Sequence, residues 1–278
     1  MKKRPTFERS YINAELNKLS ATVTSPTTVF IIGGLALISY ELKDATKDID
    51  VVVMNAADFE LLINSLRSIG YVEPQGPLIS RPYQDMEVAK IMENKDGFRW
   101  DIFLGKICNK LSFSDSMASR TTNFFSKANL VLCIASKEDI FLFKGITTRE
   151  ADLEDMRLLT ESDLDWQTIK TECRHQSEIS GRLWEDALVQ NLKELRERYG
   201  INSPIEGQLR KLCEEKMGEN AIISSARSGH NTIKSISQDK KLPEFLVREY
   251  VGKAEKKGLI KIDKTSRPYL LSLGASNR

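Results

Sequence analysis

The chain has 278 residues, 41% of them hydrophobic and 29% charged, with Gly and Pro together numbering only 23. That composition excludes collagen-like, disulfide-scaffold and wholly disordered classes, and leaves one large domain or two modest ones. The formal net charge of +2 averages two unlike parts: residues 1–200 carry 26 basic and 30 acidic side chains, and residues from Ile201 onward carry 15 and 9. An acidic body with a basic tail domain points to two jobs, one involving nucleic acid.

Phe7 to Leu19 reads as an amphipathic helix. The uncharged stretch from Leu19 to Tyr40 is Ser- and Thr-rich in its first half, contains Pro26 and is strongly apolar only from Val29 to Ile38. That is short of the ~18 to 20 residues a membrane span needs. Met1 to Arg9 lacks the apolar region of a secretion signal. The expectation is a cytoplasmic protein with no membrane partner.

Thr28 to Ile32 forms a β-branched and aromatic run entering Gly33-Gly34, followed by helical composition from Leu35 to Leu42. Ile49 to Met54 reads as a second strand, and Ala57 to Ile69 as a helix ending at Gly70. Glu87 to Met92 and Phe98 to Leu104 are strand candidates joined by a turn at Asn94 to Gly97, and Leu130 to Ala135 is a fifth strand. From Ser136 the pattern is helical: Lys137 to Lys144, Ala151 to Thr160, Asp163 to Ile179 and Leu183 to Tyr199. The fold class is therefore α+β, with a sheet in the first half packed by helices that continue into a helical appendage. Gly200 to Pro204 is the expected hinge. Cys108, Cys133, Cys173 and Cys213 form no Cys-x-x-Cys pair and read as buried small apolar residues of a reducing compartment. Neither His175 nor His230 has a Ser, Cys or second His at useful spacing.

The informative stretch is Ile31-Ile32-Gly33-Gly34-Leu35 followed by Lys47-Asp48-Ile49-Asp50-Val51. Alternation along a strand points Asp48 and Asp50 the same way and sends Ile49, Val51 and Val53 to the core. Two carboxylates held that close repel one another. A divalent cation removes the conflict, and Mg²⁺ takes few carboxylates together with phosphate oxygens. Gly33 and Gly34 let backbone N–H groups approach a phosphate. Asp101, set among Trp100, Ile102 and Phe103, is costly to bury unless paired or bound to metal. Spacing alone also allows a loop-end cap and an exposed edge acid for the Asp48/Asp50 pair, and a salt-bridged edge residue for Asp101. The joint occurrence of the three favours a metal site.

The order Gly-Gly, helix, Lys-Asp-Ile-Asp-Val-Val-Val, helix, hairpin, Trp-Asp-Ile-Phe resembles the nucleotidyltransferase superfamily that shares a minimal fold with DNA polymerase beta, over residues 28–160. The resemblance implies a mixed sheet packed by helices, with Gly33 and Gly34 holding a nucleoside triphosphate. It also implies that Asp48, Asp50 and Asp101 hold two Mg²⁺ ions as catalytic residues, with Lys47 in the nucleotide-binding set. The chain departs from many active members at Gly34, where they carry Ser. Ser136 to Lys144 and Arg149 to Asp155 are similar to a segment of nucleotidyltransferase-like proteins related to abortive-infection toxins. That likeness implies that Lys144 contacts phosphates, that Asp155 completes the pocket and that an antitoxin-like protein is a partner. A solvated, capped helix face is the alternative for Lys144 and Asp152 to Asp155.

In the basic part, Glu219 to Gly229, Thr232 to Lys240 and a segment from Leu242-Pro243 to Lys257 read as three helices. Leu259 to Asp263 and Tyr269 to Leu273 form a hairpin around Lys264 to Pro268. Three helices and a hairpin, with Glu255-Lys256-Lys257-Gly258-Leu259-Ile260 at the junction, resemble a winged helix. By that resemblance Arg248, Lys253 and Lys256 would lie near a DNA major groove while Lys264 and Arg267 touch its backbone. A protein-docking module is the alternative. The expected organisation is 1–160, a nucleotidyltransferase-like domain; 161–200, a helical appendage; 201–278, a winged helix. The expected activity is Mg²⁺-dependent transfer of a nucleoside monophosphate to a hydroxyl of RNA, protein or a small molecule. A DNA-binding regulator with a weak or inactive catalytic domain is the alternative.

Overall fold

The protein is described from a computed structural model covering residues 4–74, 88–147 and 149–274. The chain separates into two compact units after Ser203. In the first, α1 (Arg9–Ser20), β1 (Thr27–Ile31), α2 (Gly34–Ser39), β2 (Asp48–Val53), α3 (Ala56–Ser68), β3 (Lys90–Glu93) and β4 (Arg99–Leu104) are followed by β5 (Lys106–Ile107), β6 (Leu111–Ser112), α4 (Asp115–Ser119), β7 (Thr122–Lys127) and β8 (Leu130–Ile134). Four helices complete it: α5 (Lys137–Gly145), α6 (Glu150–Leu159), α7 (Trp166–Ser180) and α8 (Trp184–Tyr199).

The sheet is mixed, in the order β3-β4-β2-β1-β8-β7. β2 runs parallel to β4 and β1 parallel to β8, while the remaining neighbours are antiparallel. The inner strands are rich in β-branched and aromatic residues, and Val29, Ile31, Ile49, Val51, Val52, Val53, Trp100, Ile102 and Phe103 are buried. Several helices start where a side chain satisfies a free N–H group. Asn55 accepts from the Asp58 amide, Ser114 from Met117, Ser136 from Asp139 and Asp165 from Gln167 and Thr168. Helix α5 buries Ile140, Phe141, Leu142 and Phe143.

Three features of this unit were not expected from sequence. Strands β5 and β6 pair over only two residues each, too short for a periodic signal. The β7 strand is an edge whose side chains are exposed or half-buried, with an irregularity between Asn123 and Phe125, so it lacks clean alternation. Helix α4 has five residues and is marked only by its Ser114 cap. The third expected strand is found from Lys90, and its expected first residue, Glu87, lies outside the described residues.

The second unit contains α9 (Glu206–Arg227), α10 (Ile233–Lys240), α11 (Glu244–Lys256), β9 (Ile260–Asp263) and β10 (Leu270–Leu273). The last two strands form an antiparallel hairpin. Ile222, Ile236, Val247, Val251, Ala254, Ile260 and Leu271 make its own core. Thr232 and Ser235 form a reciprocal cap on α10. Helix α9 begins at Glu206, well before the expected Glu219, because only Glu206, Leu209, Cys213 and Gly218 are buried before that point and the apolar repeat is sparse. No described helix is long and apolar enough to cross a membrane.

Candidate active site

The parallel register of β2 and β4 sets Asp50 opposite Asp101 and Asp48 opposite Arg99. Adjacent strands lie about 4.8 Å apart, so Asp50 and Asp101 are immediate neighbours on one face, with Asp48 one pleat away. Asp101 is 1% exposed. Its Oδ1 is buried without a hydrogen-bond partner. Burial, then the charges of Asp50 and Asp48, push its carboxyl well above the usual carboxylate range. Burial and Asp48 likewise push Asp50 up to about 6, against the opposing pull of Lys144, Arg149 and the Gly34 amide.

The glycine corner closes directly over these acids. The Ile32 amide donates to the Asp50 carbonyl at 3.0 Å, which brings the end of β1 alongside β2. A Cβ on Gly33 would lie 1.7 Å from Asp50 Oδ2, and one on Gly34 would lie 2.4 Å from Thr46 Oγ1. The requirement is one of space, because Gly33 has φ −109°. Gly33→Ala is therefore expected to drive the Asp50 carboxylate out of the corner. With the fold checked by circular dichroism, a crystal structure of the variant should show that carboxylate displaced, and an unmoved Asp50 would contradict the packing.

Across the cleft stands a wall of basic side chains tied to two further acids. Lys144 Nζ donates to Asp152 Oδ1 at 2.8 Å and pairs with Asp155 Oδ2 at 3.0 Å. Lys43 also pairs with Asp155. Asp152 accepts from Thr147 Oγ1 at 2.6 Å and from Arg149 Nε and Nη2 at 2.6 and 2.9 Å. Burial works against the Lys144 charge, but Asp152, Asp155 and Asp50 more than offset it and hold its pKa above the usual lysine value. Asp152 is penalised by burial and still held below the carboxylate range by Lys144 and Arg149.

Gly33, Gly34, Lys47, Asp48, Asp50, Asp101, Lys144 and Asp155 all line one cleft of about 350 Å³. Its apolar lining includes Ile32, Phe103, Ile107 and Phe143. Sequence reasoning did not single out Lys43, Thr46 or Arg149 for this cleft, nor Arg4 beside it, whose Nη1 pairs with Asp48 Oδ2 at 3.0 Å. The Arg-x-x-Asp spacing of Arg149 and Asp152 was the available signal for that pair. Cys108 also lines the cleft, but burial pushes its thiol up to about 11, away from a nucleophilic thiolate.

A divalent cation implied by the resemblance meets a suitable donor set here. The Asp101 orphan oxygen and the unresolved repulsion among three carboxylates are what such an ion would satisfy. Among the described residues no three His, Cys, Asp or Glu side chains form a ready-made metal cluster. Asp48, Asp50 and Asp101 would be the donors that the cleft offers such an ion.

The basic residues singled out in the second unit lie among acidic neighbours. Arg248 pairs with Glu244, Lys253 with Glu215 and Glu249, and Lys264 with Glu255. Arg267 stacks 4.1 Å over the Tyr269 ring, and Lys256 is exposed near the end of α11.

No family model and no curated protein matches the chain. Similar solved structures include the lincosamide antibiotic adenylyltransferase LnuA bound to lincomycin, at 17% identity, 56% coverage of this chain and 98% of that one, with TM-score 0.38. A protein from H. pylori, provisionally described as a nucleotidyltransferase, is similar at 15% identity over 74% of this chain and 99% of its own, with TM-score 0.33.

Proposed function

We propose that the protein is a nucleotidyltransferase that uses Mg²⁺ to move a nucleoside monophosphate from a nucleoside triphosphate to a hydroxyl acceptor. The observation that carries this reading is the cross-strand pair Asp50 and Asp101, with the unpartnered Asp101 oxygen beside a corner that only glycine fits. Asp48, Asp50 and Asp101 would hold the metal, which supplies Lewis-acid stabilisation of charge on the transferring phosphoryl group. The acceptor oxygen bonds to the α-phosphorus, the bond from that phosphorus to the bridging oxygen breaks, and pyrophosphate leaves. Asp101 takes the acceptor proton. Gly33 and Gly34 admit the triphosphate, and Lys43, Lys47, Lys144 and Arg149 offset its charge. Lys144 keeps its proton because Asp152 and Asp155 hold it.

RNA, protein and small molecules remain the acceptor classes of this proposal. The basic second unit would dock an extended acceptor or an antitoxin-like partner. To test the reading, the full chain is incubated with each α-labelled nucleoside triphosphate, Mg²⁺ and total RNA or lysate. Label should enter one acceptor class, and the signal should vanish with EDTA and with the Asp48→Ala, Asp50→Ala double variant. Absence of transfer from all four nucleotides, together with salt-sensitive duplex binding, would favour a DNA-binding regulator instead.

A further inference from the structure

The segment from Arg4 to Phe7 lies against the entry to β2. The Phe7 amide donates to the Thr46 carbonyl at 2.7 Å and the Thr46 amide donates back at 3.1 Å. The Phe7 ring is buried, with its centroid 4.6 Å from Tyr11 and 4.8 Å from Phe98. Three residues before this anchor, the Arg4 guanidinium reaches the entry to β2. Nη1 donates to Asp48 Oδ2 at 3.0 Å, and Nη2 donates to the Lys47 carbonyl at 2.9 Å. About a fifth of each side chain in the Arg4–Asp48 pair stays exposed, so the contact is reachable from solvent. The Arg4 charge also opposes the repulsion felt by Asp101.

We infer that Arg4 is a built-in counter-cation that competes with the divalent metal ion for Asp48, so that metal binding requires the guanidinium to leave. This rests on the proposal that Asp48, Asp50 and Asp101 form a metal site. Without a divalent ion, three carboxylates on one sheet face need positive charge nearby. Arg4 supplies one unit of it and uses the Asp48 oxygen as its acceptor. A divalent ion at the same carboxylate must displace that hydrogen bond or sit beside a like charge, and either lowers its affinity. The Phe7–Thr46 pairing holds the chain to the entry of β2 three residues beyond Arg4, so the guanidinium would leave without breaking that backbone pairing. A triphosphate arriving with the metal would offer the released guanidinium new anionic oxygens. The metal alone then binds weakly, and metal with nucleotide binds well.

The test measures binding of Mn²⁺ alone to the full chain, by the loss of the free-ion electron paramagnetic resonance signal. Arg4→Gln should tighten binding on the order of fivefold, the upper end for a partly exposed ion pair. Arg4→Lys, which keeps the charge, should stay within about twofold of wild type by the same reasoning. In an Asp48→Asn background, Arg4→Gln should have no further effect. If Asp48→Asn weakens Mn²⁺ binding but Arg4→Gln leaves it unchanged or weakens it, the competition is refuted while the metal site survives. Equal tightening by Arg4→Lys and Arg4→Gln also refutes it. If Asp48→Asn and Asp101→Asn bind Mn²⁺ as wild type does, the metal site itself fails, and the role of Arg4 fails with it.

Discussion

Asp101→Asn is expected to reduce nucleotide transfer by ~10³-fold or more, about 4 kcal/mol of lost transition-state stabilisation, while raising the melting temperature of the metal-free protein by a few degrees. The two effects share one cause. Asp101 is buried, opposite Asp50 across the strands, and one of its oxygens has no hydrogen-bond partner. Asparagine keeps the shape and removes the charge, so the repulsion disappears together with the proposed metal ligand and proton acceptor. A folded-state pKa above the unfolded value means that the native protein binds more protons, so stability falls as pH rises through that window. The stabilising effect of Asp101→Asn should therefore be fully present above the folded-state pKa and fade as pH falls towards the unfolded value near 4. Calorimetric melts from acid to neutral pH, with transfer assays at neutral pH, measure both parts. A variant that melts lower and still transfers nucleotide would contradict the assigned role.

The second large effect lies outside the cleft. Glu172 on α7 is 3% exposed. It accepts hydrogen bonds from Ser114 at 2.9 Å, Ser116 at 2.7 Å, Arg120 at 2.8 Å and Gln176 at 3.0 Å. Arg120 also contacts both oxygens of Asp139 on α5. Burial opposes the Glu172 charge, but these donors, led by Arg120, hold its carboxyl below the usual range. Glu172→Ala removes an acceptor shared by four groups and leaves Arg120 with half its counter-charge. The expected loss is about 3 to 5 kcal/mol, corresponding to a melting temperature lower by roughly 10 °C for the first unit. Glu172→Gln retains some of the hydrogen bonds and should cost about 1 to 2 kcal/mol. Thermal unfolding followed by circular dichroism distinguishes the two. A drop of less than a degree for Glu172→Ala would mean that solvent already satisfies these groups.

The sequence was most readable where structure is local. The run Thr27 to Ile31 into Gly33-Gly34, and the alternation from Asp48 to Val53, carry strand signals within a few residues. Asp101 stood out because it is an acid among Trp100, Ile102 and Phe103. Its pairing with Asp50 follows from the parallel alignment of β2 and β4, which involves chain more than 40 residues apart. The less legible parts depend on distant partners. Arg4 meets Asp48 across 44 positions, and Lys43 meets Asp155 across 112. Asp152 looks like an ordinary first-turn acid, yet in the fold it joins Lys144, Thr147 and Arg149. Lys144 lines the cleft, and its ties to Asp152 and Asp155 depend on the packing of two helices rather than on any pattern in its own segment.

Diffraction from crystals grown with Mn²⁺ and a non-hydrolysable nucleoside triphosphate, with data collected at the manganese edge, tests the central claim most directly. Anomalous peaks should lie against the carboxylates of Asp48, Asp50 and Asp101, with the triphosphate along Gly33 and Gly34. Manganese held elsewhere, or a nucleotide that leaves these three acids untouched, would contradict it.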